Sequence, residues 1–271
     1  MNYNPKQALT GLGFTSDHAD SIMTGLSAPD GLMLVTGISG ARKGTTLREL
    51  IKIAPLVPSA KNFKSSFSSL TGGTENIQSL DQTFYVFPKF RTFTMVAACA
   101  ETITFGGRVL SKLNASSAFD APVRIQSIGK GPDGILSEIK LSTIICQTSL
   151  GCPCSQCSLN YDAAKDSLDG YVRMFIESRI NESDTQSLRF RNREGCQNCS
   201  NGTSGFSVAA EVVVPDEEML ALFRKQAIIE AREMFIGQGG KLMIDHAIAK
   251  ATKGLVDLND VAHKIGFEPY I

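Results

Sequence analysis

The sequence predicts an α/β protein with a parallel-type sheet, followed by a cysteine-rich element and a C-terminal helical region. An apolar segment, "LMLVT", leads directly into the Gly-rich turn "GISGARKGTT", and strand-like and helix-like segments alternate through the first part of the chain. Two C-x2-C pairs then precede a strand and a series of charged helices. We therefore expect three domains, over residues 1–150, 151–214 and 215–271.

The first domain is predicted from the order of its apolar runs. "TSDHADSIMTGL" has polar residues able to cap a helix, and "GLMLVTG" has the short, continuously apolar character of a buried parallel strand. "TFYVF" and "RVLSKL" indicate further strands, with the helix-like "TMVAACAETI" between them. Residues 116–129 and 135–150 both favour helices, although the second run is rich enough in Ile and Thr to suit a strand.

The C-terminal part has a different pattern. "FSVAAEVVV" indicates one strand, and helices are expected from Pro215 to about Gly266. In "DLNDVAHKIG", Asp257 is a typical N-terminal cap and Gly266 a typical stop.

Composition excludes several classes of protein. Lys+Arg and Asp+Glu both number 27, so the chain has no general attraction for nucleic acid or anionic lipid. The first ten residues lack the apolar core of a signal peptide, and no stretch reaches the roughly 18 apolar residues of a membrane span. We expect a cytoplasmic protein that neither spans a membrane nor binds nucleic acid.

The two C-x2-C pairs predict a metal site. Four of the seven cysteines form these pairs, Cys154 with Cys157 and Cys196 with Cys199. Four thiolates in this spacing match tetrahedral zinc, and they leave no open position for water, so the zinc would be structural. A redox pair and incidental small apolar residues are the alternatives. A redox C-x-x-C would be expected once, at a strand-to-helix junction, rather than twice in turns rich in Gly and Asn.

The other three cysteines have separate interpretations. Cys152 is expected to be a spare neighbour of the metal site. Cys99 and Cys146 lie in apolar segments, where a buried and inert cysteine is expected.

The turn after the first strand is an incomplete phosphate-binding loop. A Walker A loop, G-x-x-x-x-G-K-[ST], needs its second glycine for the backbone curl, its lysine for the phosphates and its hydroxyl for Mg²⁺. The lysine is present as Lys43, but Arg42 replaces the second glycine and Gly44 replaces the hydroxyl. Thr45 comes one residue late, which on a helix is about 100° of rotation.

The order of these motifs resembles the C-terminal ATPase domain of the type II secretion and type IV pilus assembly family, including its conjugative-pilus members. "GLMLVTGISGARKGTTL" is similar to that family's strand and Walker A segment. "CSQC" with "GCQNCSNGTSGFSVAAEVVVPDEEM" resembles its tetracysteine element, and "GGKLMIDHAIAKATKGLVDLNDVAHKIG" its closing helices. The resemblance implies a RecA-like P-loop domain that binds ATP and Mg²⁺, with candidate nucleotide-binding residues at Gly37, Gly40, Lys43, Thr45 and Asp81.

The same resemblance implies that hydrolysis is impaired. In "DQTFYVFPKFRT", Asp81 and Arg91 fit the family's Walker B segment, but Lys89 falls on the glutamate that polarises the attacking water and Thr92 on the final aspartate. In "SKLNAS", Asn114 falls on the histidine of the family's histidine box. The family's aspartate box is not found between the loop and Walker B. We therefore expect the loop to keep its packing role and to have lost the hydrolytic one.

Three functions remain open from the sequence. The first is a pseudo-ATPase subunit that acts through protein contacts at the cytoplasmic face of the inner membrane, with the platform or other pilus and secretion proteins as partners. It is expected to be a monomer recruited into a ring by an active paralogue, with a homohexamer as the alternative. The second is an active motor whose missing acids come from a neighbouring subunit. The third is a zinc-stabilised binding module unrelated to secretion.

Overall fold

The structure is a computed structural model and describes residues 3–57, 62–64, 83–87, 89–129 and 139–267. The chain forms two compact units, each built from two stretches of sequence. The first unit comprises residues 1–147 and 211–241, and the second comprises 148–210 and 242–271. The three domains expected from the sequence stay a prediction.

The elements alternate as an α/β protein requires in the first half of the chain. The strands are β1 (Gly31–Thr36), β2 (Asn62–Lys64), β3 (Thr83–Phe87), β4 (Arg108–Lys112), β5 (Leu141–Pro153) and β6 (Thr203–Val213). The helices up to β6 are α1 (Pro5–Leu12), α2 (Ser16–Leu26), α3 (Lys43–Ile53), α4 (Phe93–Thr104), α5 (Asp120–Gly129), α6 (Tyr161–Ala164), α7 (Gly170–Arg179) and α8 (Glu182–Ser187). After β6 follow α9 (Glu217–Arg224), α10 (Ile228–Gly237), α11 (Met243–Ala251) and α12 (Leu258–Lys264).

The strands form one sheet in the order β2-β3-β4-β1-β5-β6. β1 pairs in parallel with β4 on one side and with β5 on the other, so that Met33 lies opposite both Leu110 and Thr143. β3 pairs in parallel with β4 and with β2. Every residue of β1 is buried, as expected for a strand covered on both faces. The predicted α/β fold with a mostly parallel sheet is confirmed.

Most of the predicted elements are present. The strands expected from "GLMLVTG", "TFYVF", "RVLSKL" and "FSVAAEVVV" are β1, β3, β4 and β6, and the expected helices include α2, α4 and α5. Thr15 caps α2, where its side chain accepts a hydrogen bond from the His18 N–H at 3.0 Å. Asp257 caps α12 through the Asn259 N–H at 2.8 Å, and Gly266 follows that helix with a φ of 83°.

The helix expected over residues 135–150 is wrong from Leu141 onward. This segment is the strand β5, and its residues from Thr143 to Gly151 are buried. It is rich in β-branched residues, and from Leu141 to Cys146 it pairs with β1, which gives buried backbone groups their partners. Pairing with β1 therefore decides between a helix and a strand, which the apolar pattern of this segment left open.

The first unit buries a charged residue beneath its sheet. Arg108 at the start of β4 is 2 % exposed, and its guanidinium donates to the Leu26 carbonyl at 3.2 Å and to the Ala28 carbonyl at 3.4 Å. Its guanidinium carbon lies 4.1 Å from the centre of the Phe84 ring. Arg108 therefore satisfies carbonyl groups at the end of α2 and links them to Phe84 of β3.

The second unit has its own small core. Phe175 on α7 stacks on Phe267 with ring centres 3.9 Å apart, and Phe267 also stacks on Tyr171. Asp257 is buried and accepts the Arg191 N–H at 2.8 Å, which fixes the segment before the second cysteine pair. Across the described ranges, no helix is both long enough and apolar enough to cross a membrane.

Candidate functional site

A pocket lies where three neighbouring strands of the first unit end. The loop after β1, the segment after β3 and the segment after β4 all contribute to a cavity of about 590 Å³. The carboxyl edge of a parallel sheet is the usual place for ligands in α/β proteins. The described residues that line the pocket are Ser39, Gly40, Ala41, Arg42, Lys43, Gly44, Lys89, Arg91, Lys112 and Asn114.

Three residues of the loop after β1 have a positive φ. Gly37 has a φ of 144°, and a Cβ there would lie 2.2 Å from the Gln147 carbonyl oxygen, so only glycine fits. Gly40 has a φ of 84° and lines the pocket. Arg42 also adopts the left-handed conformation, with a φ of 55°, at the position where a Walker A loop has glycine. The loop therefore forms without the second glycine, at a cost in backbone strain.

Lys43 closes the loop on itself. Its ammonium donates to the Gly37 carbonyl at 2.6 Å and to the Ile38 carbonyl at 2.7 Å. Burial lowers the pKa of Lys43, and repulsion from Lys89 lowers it further. Lys43 thus stabilises the bend of the loop through these two carbonyl groups. Lys89 and Lys112 lie close enough to repel its charge.

Gln147 on β5 fastens this loop to the sheet, and the sequence pattern did not single it out. Its side chain is fully buried, donates to the Ala41 carbonyl at 2.7 Å and accepts from the Thr46 hydroxyl at 2.7 Å. One amide therefore bridges the loop and the first turn of α3. A polar residue in a fully buried parallel strand was the one available signal, because such a group needs partners.

Neither loop threonine offers its hydroxyl to the pocket. Thr45 accepts a hydrogen bond from the Arg48 guanidinium at 3.4 Å and is not among the described lining residues. Thr46 is fully buried and bonded to Gln147. Gly44 lines the pocket, and a Cβ built there would lie 3.7 Å from the Lys112 ammonium nitrogen. An ammonium group thus lies beside the place where the metal-binding hydroxyl of a Walker A loop would begin.

The pocket is strongly basic. Five of its described lining residues are cationic, and none is acidic; the five are Arg42, Lys43, Lys89, Arg91 and Lys112. Lys89 and Asn114, which the resemblance predicts at the positions of the family's glutamate and histidine, both line the pocket. Asp81, the remaining predicted nucleotide-site residue, lies outside the described residues.

Magnesium does not fit these side chains. Mg²⁺ needs oxygen ligands, above all carboxylates or hydroxyls supplemented by phosphate oxygens. The described lining residues provide the Ser39 hydroxyl and the Asn114 amide against five positive charges. A divalent cation would be repelled by the same groups that attract an anion.

The second unit contains the predicted cluster of four cysteines. The sulfur atoms of Cys154, Cys157, Cys196 and Cys199 all lie within 4.8 Å of one another. The separations are 3.8 Å for Cys154 and Cys196, 3.7 Å for Cys157 and Cys199, and 3.7 Å for Cys196 and Cys199. Zinc–sulfur bonds of about 2.3 Å in a tetrahedron place the sulfurs about 3.8 Å apart. The cluster therefore fits a zinc ion.

Backbone contacts bring the two cysteine pairs together. The Cys154 N–H donates to the Gly202 carbonyl at 2.8 Å, and the Cys196 N–H donates to the Cys199 sulfur at 3.1 Å. Gly202 has a φ of 79°, and a Cβ there would lie 2.1 Å from the Asn192 carbonyl oxygen. Hydrogen bonding from the Gln156 backbone lowers the pKa of the Cys154 thiol to about 7, whereas desolvation and the neighbouring cysteines raise the pKa of the Cys157 thiol to about 12. The two thiols of this pair therefore differ in acidity.

The remaining cysteines lie apart from this cluster. Cys99 and Cys146 are fully buried, as expected, and burial raises the pKa of both thiols. Cys152 is partly exposed and does not belong to the set of four.

Comparison with known proteins identifies the family. The family model described as "Type II/IV secretion system protein" matches residues 91–263, which is more than half of the chain. The chain belongs to this family. The match includes the cysteine cluster and the C-terminal helices, and it begins two residues after Lys89, so the loop at residues 37–46 lies outside it.

Two curated members of the secretion and pilus ATPase family are similar over almost the whole chain. The type II secretion system ATPase E of Vibrio cholerae is 23% identical over 93% of this chain and 52% of its own length. The type IV pilus assembly ATPase PilB of Pseudomonas aeruginosa is 20% identical over 94% of this chain and 47% of its own length. The chain spans about half the length of these relatives.

Solved structures support the fold. The pilus retraction motor PilT, solved with ADP, has a TM-score of 0.58 at 16% identity, covering 94% of this chain and 66% of its own. The ATPase DotB of Legionella pneumophila has a TM-score of 0.57 at 14% identity, covering 94% of this chain and 64% of its own. At these identities the likeness concerns the fold, and function depends on the pocket itself.

Proposed function

We propose that this family member is a catalytically impaired subunit, a pseudo-ATPase, which acts through protein contacts. The observation that supports this most directly is the position of Lys112 beside Gly44. A positive side chain lies where the Walker A hydroxyl and its Mg²⁺ would be, while Lys89 replaces the acid that would orient water.

The chemistry of phosphoryl transfer explains why these two changes matter together. Catalysis depends on positioning the nucleophile and on stabilising charge with a metal ion. A lysine cannot accept a proton from water while it is charged, so Lys89 reverses the role of the acid it replaces. Residual binding of a phosphate-containing ligand remains compatible with the pocket, since its lining is cationic.

Zinc is proposed as the structural ion of the second unit. The four sulfurs have tetrahedral spacing and would fill its coordination sphere, so the ion would join residues 154–157 to residues 196–199 and take no part in a reaction. A redox role for these pairs is less well supported, because each sulfur lies close to the other pair as well as to its own partner.

Partners and location are proposed from the family. We place the chain at the cytoplasmic face of the inner membrane, in contact with the platform or other proteins of a pilus or secretion machine. Weak binding of Mg-ATP would remove the stabilisation that a nucleotide bound between subunits gives to a ring. We therefore expect a monomer in isolation that joins a ring built by an active paralogue, with a homohexamer as the alternative.

The competing proposal is an active motor, as the curated relatives' names describe them. It would require a neighbouring subunit to supply the acids that this pocket lacks. Family membership leaves no support for the third possibility, a binding module unrelated to secretion.

The test is steady-state hydrolysis of Mg-ATP by the purified chain and by a triple variant, Arg42→Gly with Gly44→Ser and Lys89→Glu. The proposal expects background rates for the unmodified chain. The variant should bind Mg-ATP better, because the serine hydroxyl and the glutamate suit the metal ion that Lys89 repels. It should still turn over poorly, because the aspartate and histidine boxes are still missing. Robust Mg²⁺-dependent hydrolysis by the unmodified chain, abolished by Lys43→Ala, would overturn the proposal in favour of the motor.

A further inference from the structure

We propose that the pocket binds the phosphate chain of a di- or triphosphate without a divalent cation, with the Lys112 and Lys89 ammonium groups taking the place of magnesium. This inference rests on the proposed function, because a hydrolytic pocket would need the metal. It names a ligand class, the linear polyphosphate group, that an inorganic triphosphate and a nucleotide share.

The Lys112 side chain lies beside Gly44, in the first turn of α3. A Cβ at Gly44 would lie 3.7 Å from its ammonium nitrogen, so a serine or threonine side chain there would begin in contact with a positive charge. In a Walker A loop the side chain at this position binds Mg²⁺, which bridges phosphate oxygens. The Lys112 ammonium can donate to phosphate oxygens from the same side of the loop. The Lys112 ammonium can therefore supply the positive charge that a metal ion supplies beside a Walker A hydroxyl.

Backbone hydrogen bonds hold the segments that carry Lys89 and Lys112. The Phe90 N–H donates to the Lys112 carbonyl at 3.1 Å, which places Lys89 next to the end of β4. The Leu113 N–H donates to the Val35 carbonyl at 3.1 Å, which ties the same end of β4 to β1. Phe90 is buried and packs on Phe87 with ring centres 6.2 Å apart. These contacts hold the main chain of both segments, from which Lys89 and Lys112 reach the pocket.

The described lining of the pocket has an excess of positive charge. Five cationic side chains and no acidic one are found among the described residues that line a cavity of about 590 Å³. Burial and the neighbouring lysines Lys89 and Lys112 lower the pKa of Lys43, so the cations repel one another when the pocket holds no anion. A polyphosphate would relieve this repulsion, whereas its magnesium complex carries less negative charge and would relieve less of it.

The experiment is calorimetric titration of the full chain with inorganic triphosphate, once in excess EDTA and once in excess Mg²⁺. We expect binding in EDTA and at least threefold weaker binding in Mg²⁺. Lys112→Gln should weaken binding in EDTA about tenfold or more, and Lys89→Gln should act in the same direction. The matched control is Lys253→Gln, since Lys253 is exposed on the second unit and should leave the affinity unchanged. Circular dichroism shows that each variant is folded.

Titrations with ATP and with adenosine show which part of a nucleotide is recognised. ATP in EDTA should bind within a few-fold of inorganic triphosphate, and adenosine should not bind. ATP binding that triphosphate cannot reproduce would contradict recognition of the phosphate chain. Binding that requires Mg²⁺, or that survives both lysine substitutions, would overturn the inference.

The outcomes separate the two proposals. No binding under either condition overturns this inference and leaves the pseudo-ATPase proposal standing, provided that hydrolysis is absent. Hydrolysis that depends on Mg²⁺ overturns the proposed function itself, whatever the calorimetry shows.

Discussion

Gln147→Leu should destabilise the first unit through two buried hydrogen bonds. The Gln147 amide joins the Ala41 carbonyl to the Thr46 hydroxyl, with both bonds at 2.7 Å and both Gln147 and Thr46 fully buried. Leucine has a similar volume, so little cavity should form, but the carbonyl and the hydroxyl lose their partner. Each unsatisfied buried group costs about 1–3 kcal/mol, so the free energy of unfolding should fall by about 3 kcal/mol.

The assay is guanidinium unfolding of the full chain, followed by circular dichroism. The matched control is Thr46→Val, which removes the hydroxyl and leaves the Gln147 bond to Ala41. In the double variant the loss should be smaller than the sum of the two single losses by at least about 0.5 kcal/mol, because the hydroxyl that Gln147→Leu strands is already gone. A Gln147→Leu variant within about 0.5 kcal/mol of the unmodified chain, or strictly additive losses, would refute the reasoning.

Three other predictions follow from single features of the two units. Arg42→Gly should stabilise the chain by about 1 kcal/mol, measured by the same unfolding experiment, because glycine adopts a φ of 55° without strain; a loss of stability would contradict this. Protein purified without added metal should contain about one equivalent of zinc per chain, and Cys157→Ser should lose it with a fall in melting temperature; less than about half an equivalent, with seven free thiols, would defeat the zinc proposal. Light scattering at micromolar concentration should find a monomer; a stable hexamer without nucleotide would show that the ring does not need a bound nucleotide for its stability.

Local patterns in the sequence predicted the elements and the cysteine site well. Continuous apolar runs are enough to locate β1 and β3, and the C-x2-C spacing alone brings Cys154 near Cys157. The close approach of the two pairs, with Cys157 and Cys199 at 3.7 Å, was expected only because four thiolates suit one ion.

The rest depended on pairing between distant strands. The run that became β5 fits a helix or a strand by composition, and its partner β1 decides the outcome, so the bridge made by Gln147 could not be anticipated. Likewise, Lys112 is distant from Gly44 along the chain, and only the parallel register of β1 with β4 brings its ammonium beside the loop. The resemblance therefore predicted which catalytic groups are replaced, and the fold shows that Lys89 and Lys112 line the pocket.

The most direct test of the central claim, that this pocket does not hydrolyse ATP, is a single-turnover experiment. Purified chain in excess over γ-labelled ATP and Mg²⁺ is incubated for hours, quenched, and assayed for released phosphate, so that slow product release cannot hide chemistry. If the pocket does not hydrolyse ATP, phosphate should be released no faster than in buffer. The unmodified chain and Lys43→Ala should then give the same result. Complete conversion of the ATP by the unmodified chain, lost in Lys43→Ala, would contradict the claim.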